Sequence, residues 1–535
     1  MTASTLEHLT ESYCDLLWNL DPVAATAAGV SRYDDRLGLY AEDDVRRYMA
    51  AFKSLGSSLE ECDVESLEDE IDRTALLGQL RTTVHRFESE EPHVRNPTFW
   101  VSHVLEGLHL LLVSTATPLE ARALAVAGRV RQIPSFLDAA RGTLRDCPDV
   151  FVRTAMEMTT HGLMLIDEVE RSLAPDGDTD FAGACAAARG ALTDFATGLE
   201  SGEDTDGSFA IGEDAFDFRL HFQHALRATA PELWRFGMAL MESTEAELAE
   251  LARRIDPAVP WQDLVSRLRD DHPAGDLLVG AYASQMDRAR RFVEERQLVP
   301  IPAGGLEVVA TPEFLRPLIP FAAYQPPGAF AESRTGWFYV TPPPEGASVA
   351  TSERLLRDHC VFELPATALH EGYPGHHLQF LTAHAQPRLV RKVISSAATV
   401  EGWALYCEEM MGEEGFYASL EERLFQKLAL LWRACRVVLD VGLHTRGMRF
   451  EEAVDLLVDR VQFARWNAEA EVRRYCAEPV YQLCYAAGRR ELLELRDAYR
   501  TACGADYTVR GFHERVLQYG GLPVSLIRWG LELDE

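Results

Sequence analysis

The stretch ALHEGYPGHHLQ, Ala368 to Gln379, places a glutamate among three histidines. On a helix, His-Glu-x-x-His sets two imidazoles one turn apart, so that both reach one zinc ion while the Glu addresses the water beside it. His370 and Glu371 begin that pattern, but Pro374 stands where the second imidazole belongs. Proline removes a backbone hydrogen bond and kinks or ends a helix. Two geometries restore a ligand pair. Looping out Gly372, Tyr373 and Pro374 lets Gly375-His376 take the place of the second ligand turn. Alternatively His377, at i+7, lies within about 20° of His370 on a regular helix but roughly 10 Å along its axis, near the limit for two histidines sharing an ion. The first geometry is preferred, with His377 as the alternative ligand.

A third ligand is expected from a second helix. VEGWALYCEEMM offers Glu401 and Glu408, seven apart and on one face. Glu401 precedes Gly402, which permits close helix packing, and is the expected ligand; Glu408 is suited to a hydrogen bond that orients a ligand imidazole. Two imidazoles and one carboxylate make a catalytic zinc set with an open position, so one Zn²⁺ per chain is expected, with Glu371 as general base. The competing interpretation is a helix end with histidines at a surface kink.

Two further segments carry polar groups in apolar settings. In LLWRACRVVLDVGLHTRG, Arg433, Arg436, Asp440 and His444 form one stripe. Charges are seldom buried unpaired, which points either to a satisfied network of Asp440 with Arg436 and His444 or to groups acting at the site. In EVRRYCAEPVYQLCYAAGRR, Arg474, Tyr475, Tyr481 and Tyr485 could donate to an oxyanion; Tyr485 is preferred as a catalytic residue. The alternative for each tyrosine is a core ring with a tethered hydroxyl. Glu408, Arg436, Asp440, His444, Arg474 and Tyr475 form the expected supporting or substrate-binding set, and His513 is expected to be structural.

The elements that must position these residues are mostly helical. From Thr5 to about Gln297, apolar residues recur at helical spacing, as in ALLGQLRTTVHRF and FGMALMESTEAELAELARRI. Two acidic breaks, APDGDTD from Ala174 and ESGEDTDGS from Glu200, are expected to be exposed loops. Between Val299 and Ser348, Pro and Gly increase and short β-type runs appear, LEVVA and GWFYVT. This predicts a small sheet beside the active-site helix, with Gly336 to Val340 as an edge strand able to hold an extended peptide. Helical periodicity returns after Thr351. The expected regions are 1–298 (helical), 299–350 (small sheet) and 351–535 (helical, metal-binding), integrated into one fold.

Composition limits the partners. The 535 residues carry a formal charge of −32, which argues against nucleic acid and anionic membranes as partners. Ten cysteines contain no C-x-x-C pair, so neither a thiolate zinc site nor a disulfide framework is indicated. The N-terminal MTASTLEHLTESYCDLLWNL lacks the basic start and apolar run of a signal peptide, and no apolar run reaches the roughly 20 residues of a bilayer span. A cytoplasmic location is the resulting expectation.

Together HEGYPGHHLQ, EGWALYCEE, RACRVVLDVGLH and EVRRYCAEPVYQLCYAAGR resemble the bacterial family catalogued as domain of unknown function 885. DPVAATAAGVSRYDDRL, RNPTFW, FAAYQPP and FHERVLQYGGLP extend the likeness through most of the chain. The resemblance implies a mostly helical, zincin-like metallohydrolase related to the zinc peptidases that use a Glu ligand. It carries over His370, one of His376 and His377, and Glu401 as ligands, with Glu371 as base. Many such relatives look exported or lipid-anchored, a pattern from which this sequence departs in lacking a visible signal. The expected activity is hydrolysis of a small peptide or amide by metal-activated water. The alternatives are a cytoplasmic amidase trimming an aminoacyl group from a small biosynthetic intermediate, and a catalytically silent binding or scaffold protein.

Overall fold

The computed structural model describes residues 5–113, 118–173, 179–201, 207–313, 316, 319 and 321–533. Most of both acidic breaks, residues 174–178 and 202–206, lies outside the described residues. The chain forms two compact units: Met1–Ile211 with Glu313–Leu318 and Gly328–Ser333, and Gly212–Pro312 with Ile319–Pro327 and Arg334–Glu535. The helices between Glu213 and Arg296, grouped with the N-terminal half in the sequence reading, therefore belong to the second unit. Helical periodicity marks each helix but carries no information about which core it joins.

The first unit is built from helices. Pro97–Val113, Leu119–Thr143, Asp149–Leu173 and Thr179–Glu200 pack side by side around fully buried Trp100 and Phe195. A buried guanidinium must be fully hydrogen-bonded. Arg129 donates to the Arg36 carbonyl at 2.9 Å and the Thr26 hydroxyl at 2.5 Å, and also to the Gly107 carbonyl. It ties the first turns of the chain to the helix layer.

The second unit holds the sheet and every residue singled out for chemistry. Strands β1 (Gly305–Ala310), β2 (Ala322–Gln325) and β3 (Thr335–Val340) lie in the order β1-β3-β2. β3 is parallel to β1 and antiparallel to β2. The strand expected at the edge is thus the central one, with both of its hydrogen-bonding sides occupied. The reason is composition: Trp337 to Val340 is the most apolar run of the three, and Phe338 and Val340 are buried. One face packs on the helix Leu278–Arg296, where Leu278, Tyr282 and Met286 join Phe338, Val340, Leu364 and Ala368 in one core.

Two helix pairs set the rest. Ala230–Ile255 lies along Leu420–Thr445, with Gly237 against Val437 and Val438. The helix Ala397–Glu413, which carries Glu401, lies along Cys484–Cys503, which carries Tyr485. Here Gly402 and Gly488 meet backbone to backbone, and a Cβ on Gly488 would run into the Ala398 carbonyl. Nine of the ten cysteines are buried free thiols. Among the described residues no helix is long and apolar enough to cross a membrane.

The glycine contact predicts the effect of a single methyl group. Gly488→Ala must separate the two helices and is expected to lower unfolding free energy by about 1–3 kcal/mol, read from urea denaturation. An unchanged midpoint would show that the contact is slack.

Candidate metal centre

Proline and glycine break the motif helix where the sequence places them. The first helix runs Leu364–Glu371 and the next begins at His376. Backbone polar groups at such a break need partners. Gly372 N–H bonds the Ala368 carbonyl at 2.9 Å and Gly375 N–H the Leu369 carbonyl at 3.0 Å. The Pro374 carbonyl accepts from Trp403 Nε1 at 2.9 Å, which fastens the break to the Glu401 helix. Gly375 is required because a Cβ there would strike the His370 carbonyl.

Looping out these residues turns His376 toward His370. The two rings meet edge to face at 4.8 Å between centroids. With Glu401 they form a buried group in which one ligand atom from each lies within 4.8 Å of the others. His376 Nε2 is 3.3 Å from Glu401 Oε2. His370 Nδ1 donates to Glu408 Oε1 at 2.8 Å, which fixes the ring and leaves Nε2 available. His377 points elsewhere: its Nδ1 meets the Tyr324 hydroxyl of β2 at 2.9 Å. Gly336 of β3 leaves room for this pair, since a Cβ there would sit 2.7 Å from His377 Nδ1.

Electrostatics follow from burial. Desolvation alone would raise the Glu401 carboxyl, but His376 and the Tyr481 hydroxyl, which donates to Oε1, outweigh it and hold the group at about 2. Desolvation lowers His376 less than Glu401 and Glu371 raise it, so the imidazole ends above its usual value. Glu371 is half-buried and close enough to His376 and Tyr324 to act on both. The set His370, His376 and Glu401, two nitrogens and one carboxylate oxygen, fits the donor chemistry of Zn²⁺.

The remaining candidates separate into two groups. Among the described residues, the hydrogen bonds of Asp440 do not go to Arg436 or His444 as the expected network required. Asp440 instead accepts the backbone amides of Val480 at 2.9 Å and Leu483 at 3.0 Å. His444 Nε2 bonds the Tyr475 carbonyl at 2.9 Å. Arg436 donates to Tyr475 Oη and Glu471 Oε2, both at 3.0 Å, and Arg474 to the same Glu471 oxygen at 2.9 Å. A loop with two inward amides competes better for a buried carboxylate than side chains on its own helix, whose directions are fixed. Asp440 thereby holds the segment in which Val480 adopts φ 64°, strained for a β-branched residue, and from which Tyr481 reaches Glu401.

Tyr485, preferred in the sequence reading, makes no hydrogen bond through its hydroxyl among the described residues. Tyr481 takes the place beside Glu401 because it precedes the helix that begins at Cys484. No local pattern distinguishes the two. Tyr324 and Trp403 also escaped the sequence reading; only Trp403, two residues after Glu401, had a position that could have drawn attention. His513 bonds the Tyr406 hydroxyl at 2.9 Å and the Leu298 carbonyl at 2.8 Å, inside the core.

Comparison with known proteins agrees with this architecture. The model of the family described as bacterial protein of unknown function (DUF885) matches residues 22–530. A solved structure of a proposed lipoprotein of unknown function from Shewanella oneidensis is 24% identical, with TM-score 0.83 over 99% of this chain and 100% of that one. A proposed lipoprotein from Colwellia psychrerythraea is 17% identical, with TM-score 0.83 over 99% of each chain. These likenesses show a shared fold. No curated protein is matched.

Asp440 yields a pH prediction. Burial raises its carboxyl to about 7 in spite of the two amide donors. The unfolded value is about 3.9. Over that interval the folded chain holds a proton that the unfolded chain has lost, so this group's contribution to stability falls as pH rises from about 4 through 7. Asp440→Asn is expected to flatten that decline. It also turns an amide toward a backbone donor, at a cost of about 1–3 kcal/mol. Denaturation midpoints of both proteins at pH 5 and 7.5 check both effects; parallel pH profiles would refute the assignment.

Proposed function

From the premise that the chain belongs to the bacterial family DUF885, we propose that it is a zinc-dependent hydrolase of peptide or amide bonds with a zincin-like centre. The observation that carries this reading is the convergence of His370, His376 and Glu401 in a buried recess, with Glu371 adjoining. Buried ligand-type groups without an ion present a desolvation cost that a cation relieves. A bound Zn²⁺ would supply Lewis acidity toward an amide carbonyl and acidify water.

The chain's own residues would do the rest. Glu408 holds the His370 ring with Nε2 toward the recess. The Tyr481 hydroxyl occupies Glu401 Oε1 and leaves Oε2 beside His376. Glu371, which is not in the three-residue group, takes the proton of the attacking water on its carboxylate and passes it to the departing amine nitrogen. No covalent intermediate is required. The central place of β3 removes it as a peptide-pairing edge, so substrate contacts must come from side chains or from an outer strand. The likeness to two proposed lipoproteins does not fit the cytoplasmic expectation, and fractionation of the source cells into envelope and soluble fractions decides between them.

Metal analysis and product analysis test the reading together. The zinc-reconstituted chain is expected to hold about one zinc, to lose it in His376→Ala and Glu401→Gln, and to keep it in His377→Ala. With a peptide and aminoacyl-amide library read by mass spectrometry, Glu371→Gln is expected to retain zinc and lose about 10²- to 10⁴-fold in turnover. Near-full turnover in that variant would sink the mechanism. Zinc binding with no hydrolysis across the library would favour the binding-protein reading.

A further inference from the structure

A cationic cluster beside the metal centre is not used by it. Arg433 and Arg436 both stack on Trp432, with guanidinium carbons 4.5 and 3.9 Å from the ring centre. Both also face the Tyr485 ring, at 5.9 and 4.7 Å. Arg436 commits Nε and Nη2 to Tyr475 and Glu471, and its Nη1 has no hydrogen bond among the described residues. One Glu471 oxygen already serves Arg436, Arg474 and the Tyr475 hydroxyl.

Arg433 has no ion pair among the described residues. Its Nη1 reaches the Ala429 carbonyl at 3.3 Å and its Nε is buried without a partner. Glu363 acts on Arg433 through space but lies beyond ion-pair distance, and burial pushes its own carboxyl upward. The Tyr485 hydroxyl completes a set of uncommitted donors. Arg433, Trp432 and Arg474 are only half-buried, so the cluster is open to solvent.

The position of this cluster matters as much as its charge. Tyr485 stacks edge-on with Tyr481 at 6.1 Å between ring centres, and Tyr481 donates to Glu401. Tyr485 is thus one ring away from the phenol that meets Glu401, and both guanidinium groups face the Tyr485 ring. In a chain of formal charge −32, an unpaired guanidinium in a half-buried aromatic setting is costly unless an anion meets it. A planar carboxylate suits the fork geometry of arginine.

We infer that Arg433, Nη1 of Arg436 and the Tyr485 hydroxyl form a pocket for a carboxylate that the substrate carries close to its scissile amide. The substrate is then a short peptide or acylated amino acid with a free carboxyl end. This specificity rests on the hydrolase reading, but the pocket can be tested apart from turnover.

The test uses the zinc-loaded, full-length Glu371→Gln chain and a pooled tripeptide library, half free acids and half carboxamides of the same sequences. Retention is measured by equilibrium dialysis and mass spectrometry. Acids are expected to bind about 10- to 100-fold more tightly than their amides, as for a charge-assisted contact. Adding Arg433→Ala is expected to bring that ratio near one, and Arg433→Lys, which keeps charge without the fork, to give an intermediate ratio. Thermal melting verifies folding, and the Lys variant carries the test if the Ala variant does not fold. Equal retention of acids and amides, retention of neither, or a preference unchanged by substitution would overturn the pocket. Wild-type turnover is scored separately. Acid-selective binding without hydrolysis refutes the hydrolase reading alone, whereas equal hydrolysis of acids and amides refutes the pocket alone.

Discussion

A carboxylate buried between an imidazole and a phenol sets the terms for the second unit. Removing Glu401 from water is costly, and the cost is tolerable only when both carboxylate oxygens meet donors or a cation. His376 stands at one oxygen and Tyr481 at the other. Each of those contacts demands something of the fold. His376 can face Glu401 only because the motif helix stops at Glu371 and restarts at His376. Tyr481 can do so only because the loop before Cys484 is pinned by Asp440.

The packing around this carboxylate is correspondingly tight. Gly402 and Gly488 bring two helices into backbone contact next to Glu401. Trp403 reaches from the same helix to the Pro374 carbonyl and fixes the break that delivers His376. Glu408, further along that helix, orients His370. A single helix therefore contributes one candidate ligand, the hydrogen bond that orients another, and the brace for the third. Such preorganisation keeps the donor atoms near one point.

Around that centre the distribution of charge is uneven in a useful way. Glu401 and Glu408 are held by close partners, whereas on Leu420–Thr445 Arg436 shares Glu471 with Arg474 and Arg433 has no ion pair among the described residues. Aromatic rings of Trp432, Tyr475 and Tyr485 share the burden of burying the guanidinium groups. The sheet, with its most apolar strand in the middle, supports the motif helix from the other side and contributes Tyr324 to His377.

What the sequence by itself determined was local chemistry and period. The helical spacing, the small sheet between 299 and 350, the break at Pro374-Gly375 and the types of His370, His376, Glu401 and Glu408 were all legible, because each depends on residues a few positions apart. Gly402 could be read as a packing position, though its partner Gly488 could not. The tertiary structure decided the rest. It chose His376 over His377 for the group with His370 and Glu401, Tyr481 over Tyr485 for the contact with Glu401, and backbone amides over Arg436 and His444 for Asp440. It made β3 central and drew the helices from 213 to 296 into the second unit. In each case the competing partners are distant in sequence and similar in local propensity, so only the geometry of the packed chain, which fixes the direction of every side chain at once, separates them.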